Sequence, residues 1–155
     1  MNAEQIRLVR ESFGKVAPIA DAAATLFYAR LFDLDPSLES LFKGDMVGQG
    51  RKLMQMLTLV VKSLDRFEQI LPAVQTLGAR HAGYGVRAKD YVTVGRALIW
   101  TLRKGLGDDF TPQVEAAWVE TYAALASLMK SAQAAAMMKS AQAAAAQSEM
   151  VTLTR

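Results

Sequence analysis

The 155-residue sequence contains no cysteine and one histidine, His81. The absence of cysteine excludes disulfide bonds, thiolate zinc sites, iron–sulfur clusters and cysteine nucleophiles. A single histidine also excludes metal sites built on several imidazoles, and it leaves a Ser-His-Asp hydrolase possible only around His81. Any imidazole chemistry in this chain must therefore use that one side chain.

Charge is sparse and nearly balanced, with 18 Lys and Arg against 15 Asp and Glu and a formal net charge of +3. Basic residues do not cluster as electrostatic binding of nucleic acid requires, so we expect no nucleic-acid partner. Apolar stretches are short, so no membrane span is expected. Glu4, Arg7 and Arg10 occupy the place of a signal peptide's apolar core, which favours a cytoplasmic protein.

Apolar residues recur at helical spacing along most of the chain, and strand-like alternation does not persist. Asn2 followed by Gln5 is a capping-box pattern and predicts the start of the first helix. Proline predicts further helix starts and paired glycines predict helix ends, at Pro18, Asp35-Pro36, Thr111-Pro112, Gly83 with Gly85, and Gly105 with Gly107. These patterns predict one all-α domain.

The C-terminal segment is rich in alanine and contains a duplication, since residues 129–136 and residues 138–145 both read MKSAQAAA. Alanine has the highest helix propensity, so the last helix can run past its packing surface. We predict a folded domain over residues 1–136 and an Ala-rich helical extension or mobile tail over residues 137–155. An oligomerisation or partner segment is the alternative.

Three polar residues occupy positions where a core residue is expected. His81 continues the apolar stripe of its helix, Gln49 lies one turn before Leu53, and Tyr28 lies on the second helix. Each alone is most simply a hydrogen-bonded core residue. Together, on helices with broad apolar faces, they favour a flat apolar cofactor whose iron is bound by a neutral imidazole. The glutamine and tyrosine could then donate hydrogen bonds to a gas ligand.

Over roughly residues 4–130 the chain resembles the globins. Residues 26–42 read LFYARLFDLDPSLESLF and resemble the globin region that leads into the first loop. Residues 77–86 read LGARHAGYGV and resemble the proximal histidine segment. Residues 94–125 resemble neuroglobin and bacterial single-domain globins. The resemblance implies a three-over-three globin fold of about seven to eight helices around one haem b (iron protoporphyrin IX).

The resemblance also implies roles for individual residues. His81 becomes the proximal iron ligand. Tyr28 and Gln49 become the distal pair that faces the gas ligand, a combination similar to that of flavohaemoglobins. The residues implied to contact the haem are Phe42, Leu53, Val86 and Tyr91.

Two positions qualify this pattern. Lys52 lies near the implied pocket and is interpreted as a solvated lysine beside the haem propionates; iron ligation by its deprotonated amine is the alternative. Flavohaemoglobins have a tyrosine and a glutamate near the proximal histidine; Tyr91 matches the tyrosine, and Gln133 occupies the position of the glutamate. A neutral amide raises the basicity of a metal ligand less than a carboxylate does, which disfavours O–O cleavage.

The leading hypothesis is therefore a protein that binds O₂, and also CO and NO, reversibly at a five-coordinate iron. Nitric oxide dioxygenase is an alternative that would need a separate reductase, and a haem-based gas sensor is another. A haem-free helical bundle or DNA-binding module is the remaining alternative, although the sequence contains no Gly-rich phosphate loop, paired-carboxylate site or zinc motif.

Overall fold

The computed structural model describes residues 1–153 of the chain. In this range the backbone forms six α-helices and four 3₁₀ helices, and no strand. The α-helices are α1 (Ala3–Val16), α2 (Ala20–Leu34), α3 (Met46–Lys62), α4 (Leu71–Tyr84), α5 (Ala88–Leu106) and α6 (Pro112–Leu153). The 3₁₀ helices are Ala17–Ile19, Pro36–Leu41, Phe67–Ile70 and Gly107–Asp109. The all-α prediction is confirmed, with fewer α-helices than expected because short segments such as Pro36–Leu41 adopt the tighter 3₁₀ form.

Local hydrogen bonds determine where the helices begin and end. The predicted capping box is present, because the Asn2 side chain accepts a hydrogen bond from the Gln5 N–H at 2.8 Å and Gln5 Oε1 accepts one from the Asn2 N–H at 3.0 Å. Asp45 caps α3 by accepting two backbone N–H groups. Gly85 ends α4 with a φ of 72°, a left-handed conformation that glycine adopts without steric cost.

Helices α4 and α6 pack against each other, as do α2 and α5, while α1 packs on α6 and α2 crosses α3. Glycine allows two of these close approaches. A Cβ built at Gly50 in α3 would lie 2.9 Å from Ala24 in α2, and one built at Gly78 in α4 would lie 2.5 Å from the Cβ of Ala132 in α6. The helix axes can therefore approach to a distance that a side chain at either glycine would prevent.

The core lies between these helices and is almost entirely apolar. Its most completely buried large side chains are Val9, Leu31, Val60, Ile70, Val74 and Trp118. Trp118 satisfies its one donor inside the core, because Nε1 donates to Ser12 Oγ at 2.8 Å and so links α6 to α1.

Helix α6 is 42 residues long, and every side chain from residue 137 to residue 152 is exposed. The alanine content accounts for a helix that continues without a packing surface. The division of the chain after residue 136, and any role of the extension in assembly, stay predictions. None of the helices in residues 1–153 has both the length and the apolar character needed to cross a bilayer.

Candidate functional site

His81 lies in the last turn of α4, and its side chain is half-buried. Its Nδ1 is 2.8 Å from the carbonyl oxygen of Leu77, one turn earlier in the same helix. A carbonyl can only accept, so Nδ1 carries the proton and donates it to Leu77. The imidazole is thereby held in the tautomer whose Nε2 has a free lone pair, and Nε2 has no hydrogen-bond partner among the described residues. This is the form in which a histidine binds a metal.

A chain of contacts supports His81 from α5 and α6. The Tyr91 ring stacks on the imidazole, with the ring centroids 6.2 Å apart and an interplanar angle of 22°. The Tyr91 hydroxyl donates to Gln133 Oε1 at 2.6 Å, and Gln133 Nε2 donates to the Val86 carbonyl at 2.5 Å. The Val86 N–H donates in turn to the carbonyl of His81 at 3.2 Å. Tyr91 and Gln133, the two positions that the resemblance implied near the proximal histidine, therefore contact each other in the structure.

A second polar pair joins α2 to α3. The Tyr28 side chain is buried in α2, and Gln49 is half-buried in the first turn of α3. Gln49 Nε2 donates to the Tyr28 hydroxyl oxygen at 3.3 Å. Burial raises the pKa of Tyr28 above its ordinary value, although the Gln49 hydrogen bond partly opposes the shift. The hydroxyl is therefore protonated at neutral pH, and its hydrogen remains available for another acceptor.

Aromatic rings surround Tyr28. Phe42 meets it edge-on with centroids 5.3 Å apart, and Phe32 lies 6.1 Å from Tyr28 and 5.6 Å from Phe42. Phe42, Leu53 and Val86 are only partly buried although they pack against the core. Apolar surface that remains partly exposed next to a core is a place where an apolar cofactor would gain stability by excluding water.

The structure thus assembles the residues predicted from the sequence into two groups. His81, Val86, Tyr91 and Gln133 form one, and Tyr28, Gln49 and Phe42 form the other. Lys52 belongs to neither group and is exposed on α3, as a solvated lysine would be. No hydrogen bond or ring contact between described residues joins the two groups directly.

Two contributors were missed by the sequence analysis. The Tyr122 hydroxyl donates to the Tyr91 carbonyl, and its ring lies against Gly95, where a built Cβ would be 2.5 Å from Cε1. Phe32 completes the aromatic group around Tyr28. Its spacing of four residues from Tyr28 places the two rings on the same helix face, so this position could have been found from the sequence.

Comparison with known proteins identifies the family. The family model of the globins matches residues 25–129, which is more than half of the chain. The chain belongs to the globin family. The three-over-three globin fold expected from the sequence is therefore confirmed. Among residues 1–153 there is no group of three or more carboxylate, histidine or cysteine side chains that could hold a metal ion.

Named relatives of this globin are flavohemoproteins. The flavohemoprotein of Vibrio cholerae is 27% identical over 128 residues, covering 81% of this chain and 32% of that protein. The flavohemoprotein of Halalkalibacterium halodurans is 28% identical over 131 residues, covering 83% of this chain and 32% of that protein. This globin thus spans about a third of the length of the curated relatives it matches.

A solved structure is also similar over almost the whole chain. It is an engineered carbene transferase made from RmaNOD, a proposed nitric oxide dioxygenase from Rhodothermus marinus. The TM-score is 0.83 at 28% sequence identity, and the match covers 91% of this globin and 99% of that chain. Membership of the globin family and the flavohemoprotein relatives together imply that this chain binds haem.

Proposed function

We propose that this globin binds O₂ reversibly at the five-coordinate iron of a haem b group, with His81 as the proximal ligand. The observation that carries the proposal is the hydrogen bond from His81 Nδ1 to the Leu77 carbonyl, which leaves Nε2 as the free ligating nitrogen. The donor chemistry fits haem, because one neutral imidazole and partly exposed apolar side chains are what an iron porphyrin requires. When bound, the haem supplies the iron to which a diatomic gas attaches.

The proximal residues favour reversible binding over oxidative chemistry. Nδ1 donates to an uncharged carbonyl, and the nearby hydroxyl of Tyr91 donates to the neutral amide of Gln133. A carboxylate partner would make the imidazole more basic and would favour cleavage of an O–O bond. With neutral partners, we expect His81 to bind iron without driving that cleavage.

The distal residues supply a donor for a bound gas that carries partial negative charge. Gln49 Nε2 donates to the Tyr28 oxygen and so leaves the hydroxyl hydrogen for the gas ligand. A hydrogen bond to a charged acceptor contributes about 1.5–3 kcal/mol. We therefore assign Tyr28 as the direct donor and Gln49 as the residue that orients it, and we expect high O₂ affinity and slow release. CO and NO are expected to bind at the same site. The hydrogen bond from Tyr28 should stabilise bound CO less than it stabilises bound O₂.

The apolar residues complete the proposed pocket. Phe42 and Leu53 would contact one side of the haem, and Val86 and Tyr91 would contact the other. All but Tyr91 are partly exposed, so each has surface left for the haem to cover. The cytoplasmic location expected from the sequence stays a prediction, which cell fractionation would test.

Nitric oxide dioxygenase is the second candidate function. It is favoured by the flavohemoprotein relatives and by the similarity to RmaNOD. Conversion of NO and O₂ to nitrate takes one electron from the iron in each turnover. We therefore infer that a separate reductase would have to return that electron to the iron before each further turnover. A haem-based gas sensor is the third candidate, with the exposed end of α6 as its one candidate output segment in residues 1–153.

Absorption spectra of the haem-loaded protein test the proposal. We expect a five-coordinate ferrous spectrum, a CO-induced shift of the Soret band and an O₂ spectrum that reverses when the gas is removed. His81→Gly should lose haem affinity and recover it with added imidazole, while Thr76→Ala, an exposed position on the same helix, should not change it. A protein that takes up no haemin, or a His81→Gly variant with unchanged haem affinity, would refute the assignment.

The same preparation separates the binding protein from the enzyme. In the presence of NADH and a flavoprotein reductase, a dioxygenase consumes many equivalents of NO at the rate of haem reduction. A reversible O₂ carrier is oxidised after about one equivalent, and its haem is reduced too slowly to sustain NO consumption.

A further inference from the structure

A long groove opens on the outer surface between α5 and α6, next to the C-terminal end of α2, and we call it the α5–α6 groove. Its volume is about 670 Å³. Sites for small organic ligands typically enclose roughly 300–1,000 Å³, so the groove is large enough for one. Tyr91 and Tyr122 also line it, and none of the residues that bind a gas in the proposed function do.

The walls of the α5–α6 groove are largely apolar. Leu34, Val92, Ile99, Trp100 and Val119 line it. Val92 is 57% exposed and Val119 is 50% exposed, so both leave apolar surface in contact with water. An apolar chain laid along the groove would remove this surface from water.

The charged residues of the groove are all positive. Arg30, Arg96, Arg103 and Lys130 line it, and no Asp or Glu does. Arg103 is paired with Glu115 at 2.7 Å. Arg30, Arg96 and Lys130 form no ion pair with a carboxylate within residues 1–153, so their charge is free to attract an anion.

Arg30 marks the place of an anionic group most clearly. Its guanidinium lies 5.1 Å above the centre of the Trp100 ring, and Lys104 Nζ lies 5.6 Å from the same ring. Arg30 Nε is buried and has no hydrogen-bond acceptor among the described residues. Because Nε itself is shielded from solvent, an anion in the groove would meet Arg30 through the outer N–H groups of the guanidinium, which form no hydrogen bond within residues 1–153.

We propose that the α5–α6 groove binds a long-chain fatty acid, with the carboxylate at Arg30 and Arg96 and the alkyl chain along Val92, Ile99 and Val119. The carboxylate is placed by its charge complementarity to the arginines, and the alkyl chain is placed by the exposed apolar wall. A nucleic acid or an acidic protein surface would pair with the cations but would leave the apolar wall without a partner, so these occupants fit less of the groove.

Calorimetric titration of the haem-loaded, CO-bound protein with monomeric dodecanoate tests the proposal. We expect saturable binding of one dodecanoate per chain, without displacement of the bound CO. Butyrate, which has the head without the chain, and dodecyltrimethylammonium, which has the chain with the opposite charge, should bind far more weakly. Arg30→Gln should weaken dodecanoate binding by about tenfold or more, because it removes a charge-assisted contact.

Matched variants distinguish this site from nonspecific attraction. Arg96→Gln should weaken binding as Arg30→Gln does, while Arg51→Gln, which removes an exposed charge on α3 away from the groove, should leave it unchanged. The proposal is overturned if the cationic amphiphile binds as tightly as dodecanoate, if Arg51→Gln weakens binding equally, or if dodecanoate displaces the bound CO. It is likewise overturned if the protein binds vesicles of phosphatidylglycerol but no free dodecanoate.

Discussion

Replacement of Tyr28 by phenylalanine would remove one hydroxyl from the distal side of the proposed site. The ring would keep its contacts with Phe27, Phe32 and Phe42, since these are made by the aromatic carbons. Gln49 Nε2 would lose its acceptor, but Gln49 is only half-buried, so water can replace the lost partner. The substitution therefore changes hydrogen bonding to the gas ligand with little change in packing.

The expected effect follows from the strength of one hydrogen bond. A donor to a charged acceptor contributes about 1.5–3 kcal/mol, which corresponds to an O₂ dissociation rate about 10 to 150 times faster in Tyr28→Phe. CO acquires little negative charge on binding, so its dissociation rate should change much less. The diagnostic quantity is the ratio of the change in the O₂ dissociation rate to the change in the CO dissociation rate. A general loosening of the pocket would accelerate the dissociation of both gases.

The assay is stopped-flow displacement of O₂ by excess CO, with the CO dissociation rate measured by displacement with NO. Gln49→Leu is the matched variant. It should accelerate O₂ release less than Tyr28→Phe does, because Gln49 acts through the Tyr28 hydroxyl. If Tyr28→Phe changes the O₂ rate by less than about threefold, equivalent to under about 0.7 kcal/mol, Tyr28 is not the donor. If Gln49→Leu has the larger effect, the two roles are reversed.

Three further predictions concern stability. A Cβ at Gly78 would meet α6 at 2.5 Å, so Gly78→Ala should lower the free energy of unfolding in urea by about 1–3 kcal/mol. Gly83→Ala in the same helix meets no atom within 4 Å, and an equal loss there would contradict the packing argument. Gln133→Leu leaves the Tyr91 hydroxyl without its acceptor, which should lower the free energy of unfolding by about 1–3 kcal/mol. The double variant with Tyr91→Phe should regain most of that free energy in the same assay. If it regains none, the pairing of Tyr91 with Gln133 is refuted. Burial raises the pKa of Tyr122, so the unfolded chain ionises first and stability falls as pH rises above about 10. Tyr122→Phe should make that decline shallower in urea titrations at alkaline pH, and an unchanged slope would exclude Tyr122 as its source.

The positions of the helices could be predicted because they depend on neighbouring residues. The Asn2 and Gln5 capping box, the proline at the start of α6 and the left-handed Gly85 each act over one turn of chain. The 3₁₀ form of Pro36–Leu41 could not be predicted, because it depends on hydrogen bonds three rather than four residues apart, which the same residue types allow. The long continuation of α6 also follows from composition, since alanine favours helix without tertiary contacts.

The candidate site could be predicted in part. The inward position of His81 follows from the spacing of its helix, and its hydrogen bond to Leu77 follows from helix geometry, because the carbonyl four residues earlier lies beneath it. The individual roles at the site were implied by the resemblance to globins. The Phe32 ring and the Tyr122 hydroxyl were missed because their partners are decided by packing.

The sequence by itself determined the helical class, the helix termini and the choice of one imidazole as the centre of any metal chemistry, because these depend on residue type and on spacing within one helix. The pairings between helices follow only from the fold: Gln133 meets Tyr91 across 42 residues, Gln49 donates to Tyr28 across 21, and the free cations share a groove with apolar walls. These pairings depend on how closely helices cross, and a crossing distance is determined by side-chain volume on two helices at once.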